Sequence, residues 1–447
     1  MTHSKSIHRT RSKKLGLPEL IAIALGGMVG GGIFTILGIS VSMIGMLTPV
    51  AIIIGGIIAA MAAYSYVKLG LYYRDEGATY SFYKKTYENT PFAASVIGWF
   101  VIFGYISTLA LYAYTFSAYA TSSLSFGDDI WIRKGVAIGI IVLFTLVNVW
   151  SVNGMGKLED LMVYTKLIIL TLISIVLIQH SNVDTSTFIQ HMKVDASNSG
   201  VLNILIVASI TFVAYEGFQL VINAVNEMKQ PEKNIPRAIY SAIVLAILIY
   251  VIIAVGALLA IPVQDIIQNQ EYALAAGAND VLGSIGRNLV ILGAILATSS
   301  AISGTVFGSS RQMSVIAKDG FMPSYLAKRK NNIPINAIIT MAVFASILIL
   351  IGGLQLILEF GSVTFLLVSL LMAFANFKIR KATKSSSLIT LISILGLLLG
   401  GSLILYYEIS HKANQMLFIL AMYGVLILAA WGYTKIRKKA VIKEESL

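Results

Sequence analysis

The chain has 447 residues, of which 57% are hydrophobic and only 12% are charged, and its formal net charge is +12. This composition excludes a soluble globular protein, and the absence of cysteine excludes disulfides and thiolate chemistry. The five histidines lie in the N-terminal tail or near predicted loops, so no metal cluster is expected. The sequence therefore predicts an all-α polytopic membrane protein without a metal or other cofactor.

A membrane-spanning helix needs about 20 mostly apolar residues, and twelve segments meet this length. Their apolar runs are continuous, whereas the strands of a membrane barrel would alternate. We expect one transmembrane domain over 1–447, with a surface helix in the polar stretch 263–286. The predicted spanning helices cover about 18–46, 48–68, 92–122, 134–150, 160–180, 201–227, 236–261, 288–316, 337–353, 355–377, 386–408 and 413–434.

The distribution of basic residues predicts the orientation, because Lys and Arg near helix ends remain on the cytoplasmic side. With the N-terminus inside, 27 of the 33 Lys and Arg residues are assigned to cytoplasmic segments and helix ends, five to the outside, and Lys166 alone to the interior of a helix. Both termini are therefore predicted to be cytoplasmic, in the cell membrane. The dispersed positive charge fits contact with anionic lipid and gives no reason to expect nucleic acid as a partner.

The first apolar run contains the sequence GGMVGGGIF from Gly26 to Phe34. An unbroken helix over 18–46 would be about 43 Å long, whereas the hydrocarbon core is about 30 Å thick. Small residues at four-residue spacing can serve close helix packing. Three consecutive glycines instead favour an unwound segment, since they cover most of the helix circumference.

The sixth apolar run has a comparable interruption. The sequence ITFVAYEGFQ covers 210–219, and Glu216 and Gly217 interrupt its apolar character. Two interrupted helices at corresponding places in two halves of a chain indicate an inverted-repeat transporter with a midplane substrate site. Free backbone N–H groups at one interruption attract a carboxylate, and free carbonyls attract an ammonium group.

Five motifs, taken together and in order, carry a family resemblance: GGMVGGGIF, DEGATYSF at 75–82, VAYEGF at 213–218, NEMKQPEKNIPRAI at 226–239 and AKDGFMP at 317–323. With them the chain resembles the amino acid–polyamine–organocation (APC) transporter superfamily. The resemblance implies a LeuT-type fold of two inverted five-helix repeats, about 18–180 and 201–377, followed by two helices over about 386–434. It implies broken first and sixth helices.

The resemblance also implies a substrate site. The substrate carboxylate is expected on the backbone of Gly30, Gly31 and Gly32, and the α-amino group near the carbonyls of Phe212 and Val213. The further substrate-binding positions are Met28, Thr108, Val213, Glu216 and Gly217.

Glu216 leaves two interpretations open, because a carboxyl group in a membrane segment is costly and is a functional candidate by default. In one, it is neutral or bound to nearby backbone N–H groups. In the other, it is ionised and selects cationic amino acids or amines. Tyr215 and Phe218 are candidate gates, and the alternative is that they pack between helices.

Lys166 either snorkels toward the cytoplasm or faces a partner inside the bundle. Its context, YTKLIIL, resembles a helix-5 position at which proton-coupled relatives place a lysine where sodium-coupled relatives bind sodium. The resemblance implies contacts with the Gly26 carbonyl and with helix 8 at Thr298, Ser299 and Ser300. Loss of the proton would loosen these contacts and favour inward release.

These features predict a secondary transporter that imports amino acids by proton symport. A channel filter, a convergent catalytic set and a GxxxxGK[ST] nucleotide loop are absent from the sequence, so neither an enzyme nor direct ATP drive is expected. The alternatives are a polyamine or amine transporter, an amino acid exchanger and a transporter-like nutrient sensor.

Overall fold

The computed structural model describes residues 15–445 apart from 76, 126, 128, 151, 182, 226–227 and 331–332. Side chains are described for the same residues except 150, 152–161, 280, 282 and 438–445. The basic N-terminal tail, which contributes to the predicted orientation, lies outside the described residues.

The described part of the chain is built from helices. The first eight are α1 (Leu17–Met28), α2 (Gly32–Ile44), α3 (Thr48–Tyr73), α4 (Ala78–Thr86), α5 (Pro91–Thr121), α6 (Ile130–Trp150), α7 (Val152–Gln179) and α8 (Thr185–Ile210). The other eight are α9 (Leu220–Asn223), α10 (Pro231–Ala260), α11 (Val263–Gln268), α12 (Ala273–Lys318), α13 (Ile335–Ile351), α14 (Leu354–Lys378), α15 (Ser387–His411) and α16 (Ala413–Glu445).

Ten helical runs among the described residues are long and apolar enough to cross a membrane, against twelve predicted segments. The difference arises at two places. One short 3₁₀ turn joins α2 to α3, so 32–73 counts as a single run, and α13 has 17 residues, which is just short of a span. The composition and these runs establish a multi-pass membrane protein.

Two helical segments were not predicted as such. Helix α4 lies where the sequence indicated a loop, and α8 begins at Thr185, ahead of the predicted start at 201. The chain leaves the helical conformation within α8 at Gly200 and within α12 at Gly283, where φ is 69° and 66°. These polar pieces lack a long apolar run, which explains why hydropathy missed them. The surface helix expected over 263–286 is split between α11 and the start of α12.

The glycine-rich stretch separates α1, which ends at Met28, from α2, which begins at Gly32. Helix α8 ends at Ile210 and is followed by a 3₁₀ turn over Thr211–Tyr215. Glu216 is then extended, with ψ at 134°, and the next regular helix begins four residues later. Both interruptions leave backbone groups without their intrahelical partners.

The two interruptions touch each other through backbone. Gly217 has a φ of 127°, and a Cβ atom added there would lie 2.5 Å from the carbonyl carbon of Gly27 and 2.7 Å from the nitrogen of Met28. A Cβ at Gly32 would lie 2.9 Å from that of Ala214. Only glycine permits this approach at 217, because both its φ and its contacts exclude a side chain.

Gly217→Ala is therefore expected to destabilise the folded protein by about 2–5 kcal/mol, from overpacking and backbone strain together. Thermal unfolding of the purified protein in detergent measures this. Gly139→Ala is the matched control, because a Cβ at Gly139 in α6 meets nothing within 4 Å. Equal unfolding temperatures for the two variants would contradict the close approach.

Candidate functional site

Lys166 lies on α7 and is fully buried, with 0% of its surface exposed, so it does not snorkel to the membrane surface. Its Nζ donates to the carbonyl oxygens of Gly26 at 3.1 Å and Val29 at 2.6 Å, and to the Ser300 hydroxyl at 2.8 Å. A protonated lysine has three N–H donors, and these contacts supply three acceptors. Lys166 thus joins the unwound end of α1 to α12.

Of the three α12 hydroxyls predicted to contact Lys166, that of Ser300 does so, whereas that of Thr298 bonds to its own helix. Ser300 accepts from Lys166 and donates to the Ala297 carbonyl at 3.0 Å. Thr298 donates to the carbonyl of Ala294 at 2.7 Å, and Ser299 is buried on the same turn. The Val29 carbonyl was not predicted as an acceptor, although it lies within the glycine-rich stretch.

A narrow cavity lies between the interruptions and the helices α5, α12 and α14. Three predicted residues line it, namely Thr108, Glu216 and Gly217. The other lining residues are Gly27, Tyr105, Tyr112, Leu220, Thr305, Ser309 and Phe365.

Glu216 presents an unused carboxylate oxygen at this cavity. Its Oε2 accepts from Nε2 of Gln219 at 2.7 Å, while its buried Oε1 has no hydrogen-bond partner. The amide of Gln219 also accepts from the Gly217 N–H at 3.1 Å and donates to the Tyr105 hydroxyl at 3.1 Å. Gln219 therefore satisfies the freed backbone N–H, which leaves one oxygen of Glu216 available to a donor from a ligand.

The remaining predicted substrate positions are tightly packed. A Cβ at Gly30 would lie 2.7 Å from that of Ala301, and a Cβ at Gly31 would lie 3.0 Å from the side chain of Thr115. Met28, Phe212 and Val213 are buried in the core, and none of the three belongs to the described cavity lining. Space for a carboxylate beside the glycines therefore requires movement of the neighbouring helices.

The two candidate gates pack on the α3 side of the interruption. The Tyr215 hydroxyl donates to the Ile52 carbonyl at 2.7 Å, and the Phe218 ring meets the Tyr66 ring edge-on with centroids 5.3 Å apart. Neither side chain is among the described residues that line the cavity. Both side chains therefore pack between helices in this structure. Their role as gates stays a prediction.

Tyr250 on α10 links the interruptions and was not predicted. Its hydroxyl lies 2.7 Å from the Met28 carbonyl oxygen and 2.9 Å from that of Ala214. One hydroxyl has a single proton for these two acceptors, so one carbonyl retains capacity for an ammonium donor. Tyr250 stands within a long apolar run, where a tyrosine gives little sequence signal.

Two close backbone contacts lie at the opposite ends of the interrupted helix α1–α2. At one end, Gly38 of α2 packs directly against the backbone of Gln270, which follows α11. At the other, the Lys229 N–H donates to the carbonyl of Leu15 at 2.9 Å, joining the start of α1 to the segment after α9. These contacts hold the two ends of the interrupted helix α1–α2 against neighbouring segments.

Comparisons with known proteins show which family the chain is similar to. Residues 15–431 match a family model described as amino acid permease. The chain is 28% identical to an uncharacterised protein of Methanocaldococcus jannaschii, over 96% of this chain and 97% of that protein. It is 29% identical to an inner membrane transport protein of Escherichia coli, over 94% and 95% of the two chains. It is 24% identical to the chloroplastic cationic amino acid transporter 7 of Arabidopsis thaliana, over 79% of this chain and 63% of that protein.

The family match covers nearly the whole chain, and it confirms the resemblance drawn from the five motifs. It also agrees with the multi-pass membrane character. The chain belongs to the amino acid permease family of the APC superfamily and is a membrane transporter.

Proposed function

We propose that this protein is a secondary active permease that imports amino acids across the cytoplasmic membrane by alternating access, coupled to protons through Lys166. The contact set of Lys166 carries the proposal, because one buried ammonium group joins the unwound end of α1 to α12. An ammonium in that position supplies the positive charge that a metal cation would otherwise bring.

The architecture that we propose is a LeuT-type fold with twelve spans in one transmembrane domain. The first repeat comprises 18–180, the second comprises 201–377, and α15 and α16 are the additional helices. The direct contact between the interruptions of α1–α2 and of α8–α9 supports this assignment. The distribution of Lys and Arg supports cytoplasmic termini.

In the proposed bound state the substrate carboxylate meets N–H groups of Gly30, Gly31 and Gly32, after the packed helices separate. Its α-amino group meets backbone carbonyls of the two interruptions. The carbonyls of Met28 and Ala214 are available because they share the single hydroxyl proton of Tyr250. The substrate side chain then points into the cavity toward Glu216, where the hydroxyls of Thr305 and Ser309 offer further polar contacts. The name of the Arabidopsis relative favours a cationic side chain.

The coupling step is the release of the proton from Lys166. A neutral amine has two N–H donors and no charge, so it holds the carbonyls of Gly26 and Val29 less strongly. Helix α1 would then separate from α12 and α7 and open the cavity to the cytoplasm. Reprotonation from outside would reset the contact, so each cycle would carry a proton inward without a sodium ion.

Lys166→Met is expected to reduce uphill substrate accumulation under an imposed pH gradient by at least about tenfold, since the coupling free energy is lost. Exchange of labelled for unlabelled substrate should persist, because that reaction needs no net proton movement. Uptake and exchange in proteoliposomes separate the two effects. Lys134→Met is the matched control, since Lys134 is also buried and donates to a backbone carbonyl, that of Leu350, at 2.8 Å.

Three outcomes would contradict the proposal. If the wild-type protein accumulated substrate in response to a sodium gradient, sodium and not the proton would be the coupling ion. Undiminished accumulation by Lys166→Met would remove the lysine from the coupling step. Binding of amino acids without any flux through the wild-type protein would indicate a sensor.

Glu216→Gln is expected to reduce uptake of lysine, arginine or polyamines at least about tenfold more than uptake of alanine, since a charge-assisted hydrogen bond is lost only for cationic substrates. Competition of each compound against a labelled substrate measures the ratio. Glu19→Gln, at the exposed start of α1, controls for removal of one acidic group. Equal losses for all substrates would show that Glu216 supports the interruption and does not set selectivity.

A further inference from the structure

A second buried ionic cluster lies far from Lys166 along the sequence, at the turn between α15 and α16. It consists of Glu359 on α14, Glu408 in the last turns of α15, and Lys412 in the turn itself. Both glutamates are fully buried, with 0% exposure. Nζ of Lys412 lies 2.8 Å from Oε1 of Glu359 and is part-exposed.

Three of the four carboxyl oxygens of this cluster lack a donor. Oε2 of Glu359 and both side-chain oxygens of Glu408 have no hydrogen-bond partner, and neither has the buried Oε1 of Gln415 in the first turn of α16. The Glu408 carboxyl is nevertheless close enough to that of Glu359 for the two groups to act on each other. Two ionised carboxylates only accept, so they form no hydrogen bond with each other, whereas a single proton makes one of them a donor.

The cluster of Glu359, Glu408 and Lys412 also needs one more positive charge to be neutral. Two ionised carboxylates and one ammonium sum to −1, and a buried net charge of this kind is costly. In the described part of the chain, the charged groups acting on Glu408 are Glu359 on α14 and Lys412. His411 is exposed and stacks on Tyr407 of the same helix. One bound proton brings the cluster to neutrality and provides the missing donor.

We propose that Glu359 and Glu408 bind one proton between them, forming a second proton site that fastens α15 to α14. Loss of this proton leaves two facing carboxylates that repel each other and draw water into the contact. The site therefore makes the attachment of the two additional helices depend on pH.

Helix α14 connects this proton site with the transport cavity. Two turns beyond Glu359, Phe365 lines the cavity, and between them Ser362 donates to the Ile210 carbonyl at 2.7 Å, where α8 ends. A change in how α14 is held at Glu359 therefore acts on the helix that borders the substrate. This site is distinct from Lys166 in its residues, its helices and its chemistry.

Infrared difference spectroscopy of the full-length protein tests the proposal, because a protonated carboxyl group has a C=O stretching band that a carboxylate lacks. The measurement uses a Glu216→Gln background, so that this buried acid does not contribute. At neutral pH we expect one such band, which disappears on adding either Glu359→Gln or Glu408→Gln. The exposed Glu88→Gln should leave it unchanged. A band that survives both single changes would overturn the proposal.

Thermal unfolding against pH gives a second readout that needs only one variant. The proposed shared proton exists only in the folded protein, so the unfolding temperature is expected to fall once the pH is high enough to remove that proton. Glu408→Gln keeps a donor at every pH and should flatten this part of the profile. An unchanged profile would contradict the proton site. If the infrared band were missing and sodium raised the unfolding temperature, the unpaired oxygens of Glu359 and Glu408 would bind a sodium ion and the proton site would be wrong.

Discussion

A lysine ammonium can be buried among membrane-spanning helices only where its protons meet acceptors. In this protein the acceptors for Lys166 are the carbonyls of Gly26 and Val29, together with the Ser300 hydroxyl. Regular helix geometry would direct those carbonyls to N–H groups four residues later. The unwound stretch after α1 is therefore a condition for burying the lysine, and the lysine in turn satisfies groups that the unwinding releases.

The same exchange of backbone partners for side-chain partners recurs around the cavity. Gln219 satisfies the N–H of Gly217, and Tyr250 serves carbonyls of both interruptions. In each case one polar group is left without a hydrogen-bond partner. Oε1 of Glu216 is such a group. A substrate with a carboxylate and one or two ammonium groups carries the complementary donors and acceptors. Under the proposed function, these unpaired groups, which are costly without a ligand, are the groups that would recognise the substrate.

Several of these features were predictable from the sequence because they depend on local chemistry. Consecutive glycines predicted where α1 would end, and an isolated intramembrane lysine indicated that it faces a partner inside the bundle. Its particular contacts with Gly26 and Ser300 were implied by the family resemblance. Tyr250, Thr305 and Phe365 were not predicted, because uniformly apolar runs do not encode which face of a helix meets the cavity. Tyr215 was predicted as a gate because it lies beside the interruption, but its hydroxyl bonds to the Ile52 carbonyl and it does not belong to the described cavity lining. Position along the sequence did not reveal the direction of its side chain.

The most direct measurement of coupling through Lys166 follows protons driven by substrate. Liposomes containing the protein and a pH-sensitive dye would receive an inward substrate gradient, with no sodium and no initial pH gradient. Proton symport predicts acidification of the lumen that begins with substrate entry and stops when the substrate gradient is dissipated. Substrate entry without acidification would contradict proton coupling.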